Sequence, residues 1–177
     1  SSRSVPLWST NPEFHQIRVR YIPAHDMLAI KNAPLAIQID GHKLIPDQMF
    51  ALDYGGSFRA FALEVDRGTE PKMTSAKRKS YQNSIDLYSK LIERQIYKSH
   101  YGLKAPLLVL WVFSSRSNEA RFLEFLEGQP ERIRQHFLIQ NIEGFHQIFQ
   151  PPNLLTGIYR DRWKRSALQP AFIRKQA

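Results

Sequence analysis

The chain has 177 residues, of which 42% are hydrophobic and 12% aromatic, and its formal net charge is +9. These values predict one globular domain with a buried core and exclude a disordered chain. The absence of cysteine excludes disulfides, cysteine-ligated zinc and a thiol nucleophile, and is typical of a cytoplasmic protein. No apolar run approaches the ~18 residues of a membrane span. The excess of Lys and Arg favours polyanionic partners, with nucleic acid first and anionic membrane surfaces second.

The N-terminal residues 1–12 are predicted to form a loose arm, because they contain two prolines and several small polar residues. Ser9–Glu13 then offers capping residues and a first-turn proline, which indicate the start of a helix. Ile17–Tyr21 alternates like a strand, so both a helix and a strand stay open for this segment.

Several β-strands are predicted in the next part of the chain. Met27–Ile30 and Leu35–Asp40 are short candidates, and the second ends in an Asp-Gly turn. Leu44–Tyr54 and Phe58–Val65 are longer apolar runs, and the Gly55-Gly56-Ser57 segment between them is a hairpin signal. We therefore expect the two longer runs to pair antiparallel.

Three carboxylates stand near the ends of this hairpin. Antiparallel pairing brings Asp47 close to Glu64, and the alternation of side chains along a strand puts Glu64 and Asp66 on one face. We expect that face to lie opposite the bulky apolar one and away from the core. Carboxylates held together repel one another, and a hard cation such as Mg²⁺ relieves the repulsion. The acids therefore predict a cation site.

The segment from Pro71 to about His100 is predicted to be the longest helix. Its apolar stripe is expected to pack against the sheet and consists of Tyr81, Ile85, Tyr88, Ile92 and Ile96. The basic residues of this segment that are predicted to bind nucleic acid are Lys72, Lys77, Arg78, Lys79, Arg94 and Lys98.

The C-terminal half continues the alternation of strands and helices. Leu107–Phe113 has the length and composition of a buried central strand. The polar turn Ser114–Asn118 is expected to cap a helix over Glu119–Glu127, and its amides also suit a phosphate. Arg132–Ile139 and Ile142–Phe149 are candidates for an edge helix and a strand.

The pattern of Pro46-Asp47, a spacer and Glu64-Val65-Asp66 resembles the PD-(D/E)XK nuclease superfamily. One position departs from that pattern, because Asp66 stands where the superfamily has lysine. The longer string FALEVDRGTEPKMTSAKRKSYQ, at residues 61–82, resembles the replication-relaxation family of plasmid and mobile-element proteins. This second resemblance covers roughly residues 42 to 115.

The resemblance implies an α/β fold with a restriction-endonuclease-like core, in which a mixed central β-sheet is flanked by helices. We expect the long helix on one face of the sheet and a shorter helix on the other. The predicted organisation is an arm at 1–12, a nuclease-like core at 13–150 and a basic tail at 151–177 that packs on the core. The implied partners are DNA, a second copy of the chain, or an upstream winged-helix module; no membrane is expected.

The resemblance also implies an endodeoxyribonuclease that hydrolyses phosphodiesters with Mg²⁺ or Mn²⁺. Asp47 and Glu64 would be metal ligands, and Asp66 a third ligand or an acid that orients water. Lys77 or Lys79 would take the place of the motif lysine and stabilise charge.

Two alternatives stay open. One is a DNA-binding accessory protein of plasmid replication, relaxation or transfer that keeps the fold and does not cut DNA, and Asp66 in place of lysine favours it. The other is an unrelated basic domain that binds RNA or a protein.

Overall fold

A computed structural model describes residues 20–27, 35–56, 58–68, 75–142 and 162–171, apart from the side chains of 75–79 and 169–171. Its strands are β1 (Arg20–Pro23), β2 (Ile37–Ile39), β3 (His42–Leu44), β4 (Gln48–Asp53), β5 (Phe58–Asp66), β6 (Leu107–Phe113), β7 (Phe137–Asn141), β8 (Trp163–Arg165) and β9 (Leu168–Ala171). Its helices are α1 (Ala24–Met27), α2 (Ser75–Glu93), α3 (Ile96–Tyr101), α4 (Arg116–Glu127) and α5 (Glu131–Arg134).

Seven strands form one mixed sheet in the order β1-β4-β5-β6-β7-β8-β9. In this sheet β1 pairs antiparallel with β4, and β4 with β5. Strands β5, β6 and β7 pair parallel, and β8 and β9 are again antiparallel. Strands β2 and β3 form a separate hairpin. Its turn residues, Asp40 and Gly41, have φ of 50° and 78°, as a two-residue hairpin turn requires. The predicted α/β class with a mixed central sheet is confirmed.

The hairpin of β4 and β5 forms as predicted. Its register runs from Asp53 opposite Phe58 to Gln48 opposite Leu63. The Oδ1 of Asp53 accepts hydrogen bonds from the backbone N–H groups of Gly55, at 3.0 Å, and Gly56, at 2.8 Å. The side chain of Asp53 thus satisfies the backbone N–H groups of the turn, and for this reason the short Gly-Gly segment was sufficient to predict the hairpin.

Helices α2 and α4 pack on the same face of the sheet, so the expectation of helices on opposite faces is wrong. The rings of Tyr81 in α2 and Phe122 in α4 meet at 5.6 Å between centroids. The reason is topological, because β5, β6 and β7 are sequential neighbours in one direction. Crossovers between parallel strands are nearly always right-handed, and two such crossovers in one direction place both helices on one face.

The opposite face of the sheet has its own apolar cluster. Its buried members are Leu52, Tyr54, Phe61, Leu110, Val112, Leu138, Ile142 and Trp163. Trp163 lies in β8, which pairs with β7. Lys164 of β8 also forms an ion pair with the buried Glu119 of α4. The segment that contains β8 is thus joined to the sheet through backbone, apolar and ionic contacts.

Several predicted boundaries are corrected in the first half of the chain. Met27 belongs to α1 rather than to a strand, and residues 28–30 lie outside the described residues. The strand predicted to begin at Leu44 is divided into β3 and β4, because Pro46 has no backbone N–H to donate to a ladder. Arg20 and Tyr21 lie in a strand, whereas the arm and residues 13–19 lie outside the described residues.

The long helix is interrupted. It ends at Glu93 and resumes at Ile96, because Gln95 adopts a left-handed conformation with φ of 51°. Gly102, with φ of 70°, ends α3 close to the end that was predicted near His100. Residues 71–74, where the helix was expected to begin, lie outside the described residues.

Later elements follow the prediction more closely. Strand β6 has the predicted bounds, and Ser115 caps α4 by accepting from the Asn118 N–H, although α4 begins at Arg116 rather than Glu119. The edge helix expected over Arg132–Ile139 is wrong, because only the short α5 precedes β7. The strand predicted over 142–149 lies beyond the described residues from 143 onward. No described helix is long and apolar enough to cross a membrane.

Candidate functional site: an acid pair at the end of the central hairpin

Asp47 and Glu64 come together at the end of the β4–β5 hairpin. The last register pair is Gln48 with Leu63, so Asp47 stands one step further along, next to Glu64. The exposed Asp47 is fixed across the strands, because its Oδ2 accepts a hydrogen bond of 2.8 Å from the Val65 N–H. The two carboxyls therefore lie beside each other across the strand ends.

Glu64 is a largely buried carboxyl. The Tyr88 hydroxyl donates a hydrogen bond of 2.5 Å to its Oε1. Burial raises the pKa of Glu64 to about 7, and Asp47 adds to the rise while the bond from Tyr88 opposes it. Glu64 is therefore divided between its charged and neutral forms near neutral pH.

Asp66 has different contacts from Glu64. Its Oδ1 accepts a hydrogen bond of 2.8 Å from the Gly68 N–H, and its Oδ2 accepts one from the Tyr81 hydroxyl. Gly68 has φ of 61°, and a Cβ atom there would meet the Ser114 Oγ at 2.8 Å. Asp66 thus holds a tight turn that only glycine fits against the end of β6.

Glu64 and Asp66 share one face of β5, as predicted, but that face does not point away from the core. It carries the buried Ala60 and Ala62 further along the strand, and α2 covers it with Tyr81 and Tyr88. The crossover from β5 to β6 returns over this face, and the small alanines leave room for the tyrosine rings. The acids therefore lie under a helix, and only Asp47 is exposed.

The described residues contain no group of three or more His, Asp or Glu side chains placed to share one metal ion. The predicted three-carboxylate set is thus not assembled within them. A pair remains, formed by Asp47 and Glu64. Two carboxylates suit Mg²⁺, which usually keeps several waters and takes only one or two carboxylates from the protein.

The lysines predicted to act beside the acids are not placed by the structure. Lys77, Arg78 and Lys79 lie at the beginning of α2, but their side chains are outside the described part, as is all of Lys72. Their roles in charge stabilisation and nucleic-acid binding stay predictions.

Arg94 and Lys98, further along, make contacts within the chain. Arg94 donates to both carboxylate oxygens of Asp40, at 2.7 and 3.0 Å, and Lys90 lies 3.2 Å from the same carboxylate. The hydrogen bond from Arg94, and then that from Lys90, lowers the pKa of Asp40 to about 2. Lys98 donates to the Gln95 Oε1. Exposed pairs of this kind are weak and exchange readily for other anions, so Arg94 remains a candidate for phosphate contact.

Sequence reasoning missed Tyr81 and Tyr88 as site residues, because their helical spacing made them core positions. Both are buried, and in that respect the interpretation was right. The signal that could have found them is the hydroxyl. Two tyrosines in an otherwise aliphatic stripe, opposite a strand with Glu64 and Asp66, need buried hydrogen-bond partners.

The raised pKa of Glu64 predicts how stability depends on pH. The folded protein holds the proton up to about pH 7, whereas the unfolded chain releases it near pH 4.5. The free energy of unfolding should therefore fall as pH rises from about 4.5 to 7, by at most about 3 kcal/mol. Glu64→Gln should remove this fall and be more stable than wild type at pH 8, with urea unfolding as the measurement. The exposed Glu124→Gln is the control, and an unchanged slope in Glu64→Gln would contradict the assignment.

The fold and site define a mixed α/β domain with a coupled acid pair at the end of its central hairpin. A family model for replication-relaxation matches residues 9–107, more than half of the chain. The chain therefore belongs to the replication-relaxation family. Membership indicates a role in the replication or processing of plasmid or mobile-element DNA. Searches of curated proteins and of solved structures gave no significant match.

Proposed function

We propose that this domain binds DNA and hydrolyses its phosphodiester bonds with Mg²⁺ or Mn²⁺ held by Asp47 and Glu64. The observation that carries the proposal is the position of these two carboxyls at adjacent strand ends, where the Oδ2 of Asp47 accepts a hydrogen bond from the Val65 N–H next to Glu64. Two carboxylates on adjacent strand ends repel each other, and a bound divalent cation offsets that repulsion. The arrangement also supports the placement of the domain in the PD-(D/E)XK superfamily.

The residues of the pair have distinct tasks. The Val65 N–H fixes Asp47 at the exposed end, and the Tyr88 hydroxyl fixes Glu64 beneath α2. A bound ion would lower the pKa of a water and stabilise the leaving oxygen. Lys77 or Lys79 would place an ammonium group near the phosphate. We leave Asp66 out of the proposed ligands, because it does not form a three-carboxylate group with Asp47 and Glu64 in the described part of the chain, and each of its oxygens already accepts a hydrogen bond.

A thermal-shift experiment tests the cation site. Mg²⁺ at about 100 times its Kd should stabilise the wild type by about 2.7 kcal/mol, which is roughly 5–10 °C in Tm for a domain of this size. The double variant Asp47→Asn, Glu64→Gln keeps the hydrogen-bond acceptors and removes both charges, so its Tm should not respond to Mg²⁺.

The control for this experiment is Glu124→Gln, Glu127→Gln, which removes two exposed carboxylates from α4. Its response to Mg²⁺ should equal that of the wild type. An equal shift in the Asp47, Glu64 double variant would show that Mg²⁺ binds elsewhere and would remove the basis of the proposal.

The second candidate is an accessory protein that binds DNA without cutting it. Asp66 favours this function, because it occupies the position of the motif lysine and accepts hydrogen bonds instead of presenting a positive charge. The two candidates differ in one result. DNA binding without cleavage in either Mg²⁺ or Mn²⁺ would establish the accessory role.

A further inference from the structure

Two tyrosines of α2 hold the two acids of β5. Tyr81 donates to Asp66, and seven residues later Tyr88 donates to Glu64. Seven residues are about two helical turns, so both tyrosines lie on the face of α2 that packs on the sheet. Helix α2 runs antiparallel to β5, so the earlier tyrosine bonds the later acid and the later tyrosine bonds the earlier acid. The two acids differ in how many of their carboxylate oxygens accept a hydrogen bond.

Glu64 and Asp47 each keep one carboxylate oxygen without a partner in the described part of the chain. Tyr88 occupies Oε1 of Glu64, and the Val65 N–H occupies Oδ2 of Asp47. Oε2 of Glu64 and Oδ1 of Asp47 accept no hydrogen bond from the described residues. Asp66, by contrast, has donors on both oxygens.

Tyr88 is held rigidly. Its side chain is 0% exposed, and its ring meets Trp111 and Phe137 edge-on, each at 6.2 Å between centroids. The ring contacts therefore set the position of the hydroxyl, which donates to Glu64, through the core rather than through the carboxyl that it binds.

We propose that Tyr88 is the positioning residue of the cation site: its hydroxyl holds Oε1 of Glu64, so that Oε2 is presented to a divalent cation shared with Asp47. This inference rests on the proposed function. Groups that hydrogen-bond a metal ligand fix its orientation, and their loss typically costs about 10- to 100-fold in metal affinity. The motif lysine is absent from this chain, and the hydroxyl supplies orientation without adding a charge.

Tyr101 provides a matched control. It is also 0% exposed, and its hydroxyl donates a hydrogen bond of 2.5 Å to the backbone carbonyl of Leu35. Tyr101→Phe thus removes the same oxygen and a bond of the same length, from a residue that does not hydrogen-bond Asp47 or Glu64. A purely structural role for Tyr88 predicts the same behaviour from both variants.

The experiment measures Mn²⁺ affinity by isothermal titration for wild type, Tyr88→Phe and Tyr101→Phe. We expect Tyr88→Phe to bind Mn²⁺ about 10- to 100-fold more weakly, and Tyr101→Phe to bind it as the wild type does. In a Glu64→Gln background, Tyr88→Phe should not change the weaker Mn²⁺ affinity that Asp47 retains, because the tyrosine acts through the Glu64 carboxylate. Trimethylamine oxide, added to all variants, keeps Tyr88→Phe folded if it is unstable.

The outcomes separate this inference from the proposed function. If the wild type binds Mn²⁺ and Tyr88→Phe binds it with the same affinity, the role of Tyr88 is overturned and the cation site is still supported. A loss in Tyr88→Phe that persists in the Glu64→Gln background would overturn it too. A wild-type protein that binds no Mn²⁺ would overturn both proposals together.

Discussion

Asp47→Asn and Glu64→Gln should each reduce cleavage of supercoiled plasmid DNA in Mg²⁺ or Mn²⁺ by at least about 100-fold, the range seen when a group that stabilises transition-state charge is removed. Each substitution keeps the size and the hydrogen-bond acceptor of the side chain. Glu64→Gln should lose activity while gaining stability at pH 8. That opposition is expected where a fold keeps an acid largely buried, and beside a second acid, for the sake of function.

The assay is the conversion of supercoiled DNA to nicked and linear forms, followed on a gel. Glu124→Gln, on the exposed surface of α4, should cleave as the wild type does. Lys77→Ala or Lys79→Ala should also reduce cleavage strongly if either lysine replaces the motif lysine. Wild-type protein that cuts neither supercoiled, linear nor single-stranded DNA in either metal would reject the nuclease proposal and leave the accessory role.

Replacing Lys77, Arg78 and Lys79 together by Glu should weaken binding to duplex DNA of any sequence by about 100-fold or more at low salt. Phosphate contacts release counterions, so the slope of log affinity against log salt should become shallower by about 3. Fluorescence anisotropy at several salt concentrations measures both quantities.

Arg94→Glu should have a smaller effect on DNA binding than this triple substitution, because Arg94 already pairs with Asp40. Arg132→Glu is a matched control, since Arg132 is exposed and pairs with Glu93 in the same way. If the triple variant keeps the wild-type affinity and salt slope, the basic start of α2 is a solvated surface and DNA must bind elsewhere.

Local structure could be predicted from the sequence wherever a few neighbouring residues determine it. The Gly-Gly segment after Asp53 predicted the hairpin, because turn residues specify their own backbone conformation. The helical segment was predicted to end near His100, and Gly102 ends α3 close to that point for the same reason. Leu107–Phe113 predicted β6 without error, since a strand buried on both faces needs a continuous apolar run.

Boundaries that depend on distant partners were missed. Phe137–Asn141 was assigned largely to a helix, yet it forms β7, because β6 offers an unpaired edge for it to join. The break between α2 and α3 at Gln95 was likewise not predicted, because no glycine or proline stands there. The joint packing of α2 and α3 in one apolar core decides such positions, and no short window of sequence contains that information.

The sequence alone placed Asp47, Glu64 and Asp66 towards one end of a hairpin, because strand pairing and alternation are local rules. Only the tertiary structure decided which of them can act together. The handedness of the β5–β6 crossover laid α2 over the acids, where Tyr88 took one oxygen of Glu64 and Tyr81 and Gly68 took both oxygens of Asp66. Burial under that helix, which no pattern of residues encodes by itself, is also what raises the pKa of Glu64 to about 7.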